Sequence, residues 1–222
     1  MFELFTQTVM TIGRIETSGV NMLGTGFLVT NDGTIATTRH VVGNDDKNLA
    51  VLFPKIRDIN IYQDTSDVSC QCIPATILEI DPFKDIALLK VDLHYSGSLP
   101  TLSSFDTIDV GKELGIFGFP HCTHGRRVLT FQKAEIGAKI ILESNSVKAK
   151  YAVINTQARP GQSGSLLLSL SSANQTIVGM LIGAFIPSGG SISLSGINPH
   201  ELHQTTHCIS AEYIKAMLEG GR

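Results

Sequence analysis

Short apolar stretches separated by Gly, Asn, Asp, Ser and Pro run along the whole chain, and helical periodicity is scarce. Residues 26–30 and 34–38, for example, have the composition of two strands, and the Asp32-Gly33 pair between them tolerates the positive φ of a tight turn. Many short strands joined by such turns predict an all-β fold. Further strands are predicted at residues 49–53, 75–80, 86–91, 113–119, 133–142, 151–156, 165–170, 177–186 and 207–210.

The chain is long enough for two lobes. Its 222 residues are 42% hydrophobic and 17% charged, which is enough apolar material for a sizeable core. Residues 100–108 are polar and show no clear strand pattern, so they are predicted to link two halves. We expect two antiparallel β-barrels packed face to face, over about residues 1–100 and 108–210. A final helix is predicted over about residues 211–219, with Ser210 as its N-cap.

Charge and hydropathy exclude some classes of partner. The formal net charge is −3 and no basic run is visible, so no nucleic-acid partner is expected. The most apolar run, residues 178–186, is too short to span a bilayer, so no membrane partner is expected either. The first residues lack the cationic start and apolar stretch of a secretion signal, which predicts a cytoplasmic protein, with secretion of a trimmed mature form as the alternative. Reduced thiols are then expected, with one disulfide in an exported protein as the alternative, at Cys70, Cys72, Cys122 and Cys208.

Three separated segments supply complementary chemistry: TTRHVV at residues 37–42, DIALL at 85–89 and GQSGS at 161–165. A serine hydroxyl is a poor nucleophile at neutral pH unless an imidazole accepts its proton and an acid fixes the tautomer of that imidazole. The predicted roles are general base for His40, orienting acid for Asp85 and nucleophile for Ser163.

Two other acids compete with Asp85 for the orienting role. Asp85 is preferred because it directly precedes the apolar strand predicted at residues 86–91. Asp81 is followed by a proline and is more typical of a turn, and Asp92 follows the other end of that strand.

In this order, the three segments resemble the motifs of trypsin-like serine peptidases, and within them the HtrA/Deg and glutamyl-endopeptidase types. Residues 24–42 resemble the HtrA pattern of a glycine-rich strand, an Asp-Gly turn and a histidine followed by two valines. Residues 85–91 and 159–165 resemble its aspartate and serine motifs, and the resemblance runs from about Gly24 to the terminal helix. It implies two six-stranded barrels and a serine endopeptidase that needs no metal or organic cofactor.

The resemblance also implies binding residues around the predicted triad. The backbone N–H groups of Gly161 and Ser163 would form the oxyanion hole. Gln157 would lie near the floor of the specificity pocket, which has no acid and would prefer apolar or small side chains. The substrate backbone would pair with a strand that contains Leu181, Ile182, Gly183 and Ala184.

Two departures from the family pattern bear on regulation and subfamily. Gln162 stands where zymogen-activated proteases have an acid that pairs with a new N-terminus, which argues against that activation route. Ser165-Leu166 replaces the usual Gly-Pro and is nearer to the glutamyl-endopeptidase variant. Protein or peptide substrates are expected, with control by a partner protein or by self-association. The alternatives are a catalytically latent scaffold that needs a partner, and an esterase that uses the same site.

Several histidines and cysteines are of types that bind metals. Their spacing is not that of a zinc site, which needs about four convergent ligands. No metal site is therefore predicted, and surface loops or a strand are expected at His121, Cys122, His124, His200, His203, His207 and Cys208.

Overall fold

The computed structural model of the protein describes residues 2–171, 175–185 and 205–220. Its strands are β1 Val9–Glu16, β2 Gly19–Leu28, β3 Thr34–Thr38, β4 Leu49–Leu52, β5 Cys72–Asp81, β6 Ile86–Val91, β7 Thr101–Leu102, β8 Glu113–Gly118, β9 Thr130–Ser144, β10 Val147–Ile154, β11 Leu166–Ser169, β12 Thr176–Phe185 and β13 Thr205–Ser210. Its α-helices are α1 Phe5–Thr8, α2 Arg39–Val42 and α3 Glu212–Leu218. Two one-turn 3-10 helices span Phe105–Thr107 and Cys122–His124.

The strands form two sheets. Strands β1 to β6 close into a barrel in the order β1-β2-β3-β6-β5-β4, here called the first barrel. The second sheet has the order β11-β8-β9-β10-β13-β12-β7, and an additional pairing of β11 with β12 joins six of its strands into a ring, here called the second barrel. This confirms the expected all-β fold with two six-stranded units and a terminal helix. The short β7 is the exception to the antiparallel pattern, because it pairs in parallel with β12.

The predicted strands agree with the structure best where a turn fixes both ends. Thr34–Thr38 and Ile86–Val91 have the predicted bounds. Strand β1 was not predicted, because its first five residues are all buried and the sequence therefore lacks a period of two. The segment predicted to lack a strand, residues 100–108, contains β7 and the first 3-10 helix.

Three apolar clusters hold the molecule together. One fills the first barrel and includes Met10, Ile35 and Leu89. Another fills the second barrel around Ile136 and Val178. The third contains residues of both sheets, namely Phe27, Ile86, Phe117, Tyr151 and Leu166 among others, and so packs one barrel against the other. Each such buried side chain stabilises the fold by about 1.5–3 kcal/mol, so the face between the barrels is a substantial part of the core.

Ser210 does not cap the terminal helix, contrary to the prediction. The N-cap of α3 is Ala211, without a side-chain hydrogen bond. The Ser210 hydroxyl is buried and accepts a hydrogen bond from the Phe105 backbone N–H at 3.2 Å. This serine therefore ties the segment before β8 to β13, and that contact removes it from the helix end.

Candidate active site

The side chains of His40 and Asp85 contact each other at one end of the first barrel. Strand β3 pairs with β6 so that Thr38 lies opposite Ile86, and the ladder continues with the Arg39 N–H donating to the Asp85 carbonyl at 3.0 Å. This register brings the start of α2 against the turn that precedes β6.

The Asp85 carboxylate binds His40 in two places. One oxygen accepts the His40 backbone N–H at 2.9 Å, and the other lies 2.5 Å from the ring Nδ1. Asp85 adopts a left-handed conformation with φ of 57°, which aims its side chain at the helix. The imidazole is 48% exposed, so its other nitrogen can reach a substrate. The pair is thus held in the geometry of a histidine oriented by an acid.

Neither competing acid contacts His40 in the described structure. Asp81 accepts the backbone N–H groups of Phe83 and Lys84 at 3.0 Å each and forms an ion pair with the Lys84 ammonium at 2.5 Å. Asp92 is exposed and follows the other end of β6. Of the three acids weighed from the sequence, Asp85 is the one in contact with His40.

Ser163 lies on a tight turn before β11. Gly161 and Gly164 on either side have φ of 90° and 87°, a region that favours glycine. A methyl group at Gly164 would lie 1.9 Å from the Thr25 carbonyl oxygen, so only glycine fits there. The close approach to Thr25, on β2, brings the turn of the second barrel against the first barrel.

Gly24 links the serine turn to the histidine helix. A methyl group on Gly24 would lie 2.6 Å from the Val41 side chain and 3.0 Å from the Ser163 carbonyl oxygen. Val41 directly follows His40, so the structure brings the predicted base and nucleophile to the same place. Within the described chain the Ser163 hydroxyl makes no hydrogen bond to His40, a contact that unliganded active sites often form only with substrate.

In the turn around Ser163, the backbone carbonyls of residues 159–163 are all hydrogen-bonded. The carbonyls of Arg159, Pro160 and Gln162 accept N–H groups of Gln162, His121 and Ser165, respectively. Those of Gly161 and Ser163 both accept from Thr25. Across residues 2–171, 175–185 and 205–220, however, the N–H groups of Gly161 and Ser163 have no hydrogen-bond partner. These are the two donors that the resemblance assigns to an oxyanion hole.

Three residues that shape this turn were missed from the sequence. Thr25 bonds the carbonyls of Gly161 and Ser163. His121, in a left-handed conformation with φ of 63°, donates its N–H to Pro160 at 2.6 Å. The buried Cys122 thiol lies 3.8 Å from the carbonyl oxygens of both Gly24 and Gly161. Burial raises the pKa of this thiol to about 12, so it acts as a neutral packing group. In the sequence, His121 and Cys122 stand out only as residue types that bind metals, and the surface position expected for Cys122 is wrong, because it is fully buried in a one-turn 3-10 helix. Their part in the turn leaves no signal in the sequence, since their partners lie far away along the chain.

Another missed residue lies behind Asp85. Tyr151, on β10 of the second barrel, is buried between the barrels. Burial raises the pKa of its phenol to about 12, and the nearby negative charges of Asp85 and Asp81 add to this shift. A neutral tyrosine from the second barrel therefore forms part of the surroundings of Asp85.

The predicted substrate-pairing residues divide into two groups. Leu181 is buried, its N–H donates to the Ser165 carbonyl and its carbonyl accepts the Gly164 N–H, each at 2.8 Å. Both backbone groups of Leu181 are used to hold the serine turn, so they cannot pair with a substrate. The prediction that the Leu181 backbone pairs with a substrate was therefore wrong.

The other predicted residues lie further along β12, on an edge that no described strand covers. Ile182, Gly183 and Ala184 are half-buried. Ile182 lies at a bulge of β12, after which β13 pairs with one edge of Gly183 and Ala184. No strand in the described ranges pairs with their other edge. Gln157, predicted near the pocket floor, lies on the segment between β10 and the turn, where its side-chain oxygen Oε1 accepts a hydrogen bond from the Arg159 guanidinium at 3.0 Å.

The cysteines are free thiols, exposed at Cys70, half-buried at Cys72 and buried at Cys122 and Cys208.

In the part of the chain that the structure describes, no three His, Cys, Asp or Glu side chains lie close enough to hold a metal ion. His200 and His203 lie outside the described residues. No helix of the described ranges is both long and apolar enough to cross a membrane.

Known proteins resemble the chain in sequence and in fold. It is 30% identical over 179 residues to a probable periplasmic serine endoprotease, DegP-like, of Pseudomonas putida strain W619, which covers 78% of this chain and 31% of that protein. It is 28% identical over 176 residues to the magnetosome formation protease MamE of Paramagnetospirillum magneticum, covering 78% of this chain and 21% of that protein. The chain thus spans about a third or less of the length of these relatives.

The fold is shared with the Rv3671c protease of M. tuberculosis in its active form. The two superpose with a TM-score of 0.67 at 20% sequence identity, over 97% of this chain and 81% of that one. This likeness shows the fold.

The relatives contradict the expected cytoplasmic location. That expectation was drawn from the first residues of the sequence, whereas the DegP-like relatives are named as periplasmic and MamE as a magnetosome protease. The expectation of a cytoplasmic protein was wrong.

The family itself follows from a match that covers most of the chain. The family model described as the trypsin-like peptidase domain matches residues 24–180, a range that includes His40, Asp85 and Ser163. This chain belongs to the trypsin-like peptidase domain family.

Proposed function

We propose that the protein is a serine endopeptidase that cleaves protein or peptide substrates through an acyl-enzyme on Ser163, with His40 as general base and Asp85 as orienting acid. One observation carries the proposal. The Asp85 carboxylate holds His40 by both its ring Nδ1 and its backbone N–H, beside a turn on which the N–H groups of Gly161 and Ser163 have no partner among the described residues. A scaffold that only bound other proteins would need neither arrangement.

The chemistry follows from the position of each group. The Ser163 hydroxyl attacks the substrate carbonyl while His40 Nε2 takes its proton, and Asp85 stabilises the imidazolium through Nδ1–H. His40 then gives this proton to the leaving amine as the peptide C–N bond breaks. In the second half of the reaction His40 takes a proton from a water molecule, whose oxygen attacks the acyl carbonyl carbon. The ester bond to Ser163 then breaks, the acid product leaves, and His40 returns the proton to the Ser163 oxygen.

The oxyanion forms in the first step and needs donors that are already in place. The N–H groups of Gly161 and Ser163 are assigned this role, and losing one such donor costs roughly 100- to 1000-fold in rate. The carbonyls of residues 159–163 all accept hydrogen bonds from other groups, so they do not compete with a substrate oxygen for these two N–H groups.

The substrate is proposed to lie as an extended segment along β12. Ile182, Gly183 and Ala184 offer a strand edge directly after Leu181, whose backbone bonds the serine turn, so a paired peptide would run past Ser163. Protein substrates also fit the DegP-like relatives, which are named as endoproteases. As these are periplasmic, we place the substrates outside the cytoplasm. Control by a partner protein or by self-association stays a prediction.

Cleavage of an unfolded protein substrate, followed by gel and by mass of the fragments, tests this function. The wild type should cleave internal peptide bonds and Ser163→Ala should not. Ser165→Ala is the matched control, because it removes the other serine of the motif, whose buried hydroxyl has no partner in the described structure, and it should stay within about threefold of wild type. Hydrolysis of small esters without any peptide cleavage would instead indicate an esterase, and a folded wild type inert to both would indicate a latent scaffold.

A further inference from the structure

One residue of the first barrel holds the serine turn of the second at two points. Thr25, on β2, donates its backbone N–H to the Ser163 carbonyl at 2.9 Å. Its side-chain hydroxyl lies 2.8 Å from the Gly161 carbonyl oxygen, 136 positions further along the chain. The side chain is fully buried, so neither contact competes with solvent. Both carbonyls that flank Gln162 are therefore turned towards the first barrel.

The direction of the hydroxyl proton is fixed by a second neighbour. The Phe119 backbone N–H lies 3.1 Å from the Thr25 hydroxyl oxygen, and an N–H can only donate. The hydroxyl accepts from Phe119, so its single proton goes to the Gly161 carbonyl. Thr25 itself is held in place, since its carbonyl accepts the Thr37 hydroxyl at 2.7 Å.

We propose that the Thr25 hydroxyl is a positioning residue for the oxyanion hole. This inference rests on the proposed function. The Gly161 carbonyl belongs to the peptide unit between the two proposed donors, the N–H groups of Gly161 and Ser163. Because peptide units are planar, fixing that carbonyl fixes the rotation of the backbone between the two donors. Thr25 touches neither the substrate nor the reacting atoms, so it acts through the turn alone.

A valine at this position keeps the shape of threonine and removes the hydroxyl. Thr25→Val leaves the Gly161 carbonyl and the Phe119 N–H without this partner, so the turn can rotate away from its working conformation. A misplacement of about 1 Å costs on the order of 100-fold in rate, so kcat should fall about 10- to 100-fold while KM changes less than about threefold. Thr25→Ser keeps the hydroxyl and should restore kcat to within about threefold of wild type.

Thr11→Val is the matched control. Thr11 is fully buried on β1 directly opposite Thr25, and its hydroxyl has no partner in the described chain. The valine therefore removes no hydrogen bond to the serine turn among the described residues, and the kcat of Thr11→Val should stay within about twofold of wild type. A Thr25→Val enzyme with wild-type kcat, or a loss of equal size in Thr11→Val, overturns the proposal.

Amide hydrogen exchange gives a second readout that needs no activity. In Thr25→Val two amides of the turn should exchange at least about tenfold faster than in wild type: that of Gly164, which is bonded to the Leu181 carbonyl on β12, and that of Ser165, which is bonded to the Gln162 carbonyl. In Thr25→Ser and Thr11→Val their exchange should match that of wild type. If the wild type cleaves nothing but exchange rises as expected, the proposed function fails and the holding role of Thr25 stands. Unchanged exchange in Thr25→Val overturns the inference whatever the wild-type activity.

Discussion

The two barrels contribute to the site in different ways. In the first barrel, His40 and Asp85 are brought together by the register of two adjacent strands, β3 and β6. In the second, Ser163 lies on a turn whose geometry depends on Thr25, a residue of the other barrel 136 positions away from Gly161. The acid–base pair is therefore a local product of one sheet, whereas the nucleophile turn is completed only when the barrels pack together.

This difference predicts where the site is robust and where it is fragile. A ladder of strand hydrogen bonds supports His40 and Asp85, so changes to their chemistry should leave the fold intact. The serine turn has two glycines with positive φ and a close approach to the first barrel, so small changes in shape should disturb both fold and activity.

Asp85→Asn tests the first barrel and should have the largest effect. In wild type one Asp85 oxygen faces the His40 backbone N–H and the other faces the ring Nδ1. The asparagine side chain has only one oxygen, so the His40 tautomer with its proton on Nε2 is favoured, which cannot accept the Ser163 proton. The kcat should fall about 10⁴-fold at neutral pH. Asp92→Asn is the control, since Asp92 is exposed at the other end of β6, and it should stay within about twofold of wild type. Steady-state peptide cleavage measures both. An equal loss in the two variants would break the assignment of Asp85.

Gly164→Ala tests the second barrel through shape alone. Its methyl group would meet the Thr25 carbonyl at 1.9 Å in addition to the strain of a positive φ, so unfolding should become easier by about 3–5 kcal/mol, with loss of cleavage. Gly125→Ala has nearly the same φ, 82°, but nothing within 4 Å of the added methyl group, so it should cost only about 1–2 kcal/mol. Urea unfolding compares the two variants. Equal destabilisation of the two variants would show that the close contact of Gly164 with the first barrel does not contribute to the loss of stability.

Sequence reasoning identified the local part of this architecture and missed the long-range part. The turn at Asp32-Gly33 and the apolar run after Asp85 gave β3 and β6 with their observed bounds, because turn residues and apolar runs are local signals. The role of Thr25 could not be predicted, since its partners Phe119 and Gly161 come close only in the folded chain. The prediction of Ser210 as a helix cap was wrong for the same reason: its hydroxyl bonds the Phe105 N–H, which is distant in the sequence.

The smallest expected effect is a loss of stability at alkaline pH that comes from Cys122, between β8 and β9 of the second barrel. Burial raises the pKa of the Cys122 thiol from its usual 9.0 to about 12. Between these values the unfolded chain has lost the proton and the folded chain keeps it, so the free energy of unfolding falls as pH rises. Between pH 8 and 10.5 the titration of this thiol should lower the free energy of unfolding by about 1–2 kcal/mol. In Cys122→Ala the free energy of unfolding should fall by correspondingly less over the same range. Urea unfolding at both pH values measures this, and an equal fall in both proteins would refute it.

The most direct test of the proposed site is the intact mass of the protein after reaction with a fluorophosphonate, with the modified residue located by peptide mapping. This reagent labels a serine only where a base and oxyanion donors activate it. We predict one adduct on Ser163 in wild type and in Ser165→Ala, and none in Ser163→Ala. A folded wild type that gains no adduct, or gains one on another residue, would contradict the assembly of His40, Asp85 and Ser163 into a catalytic site.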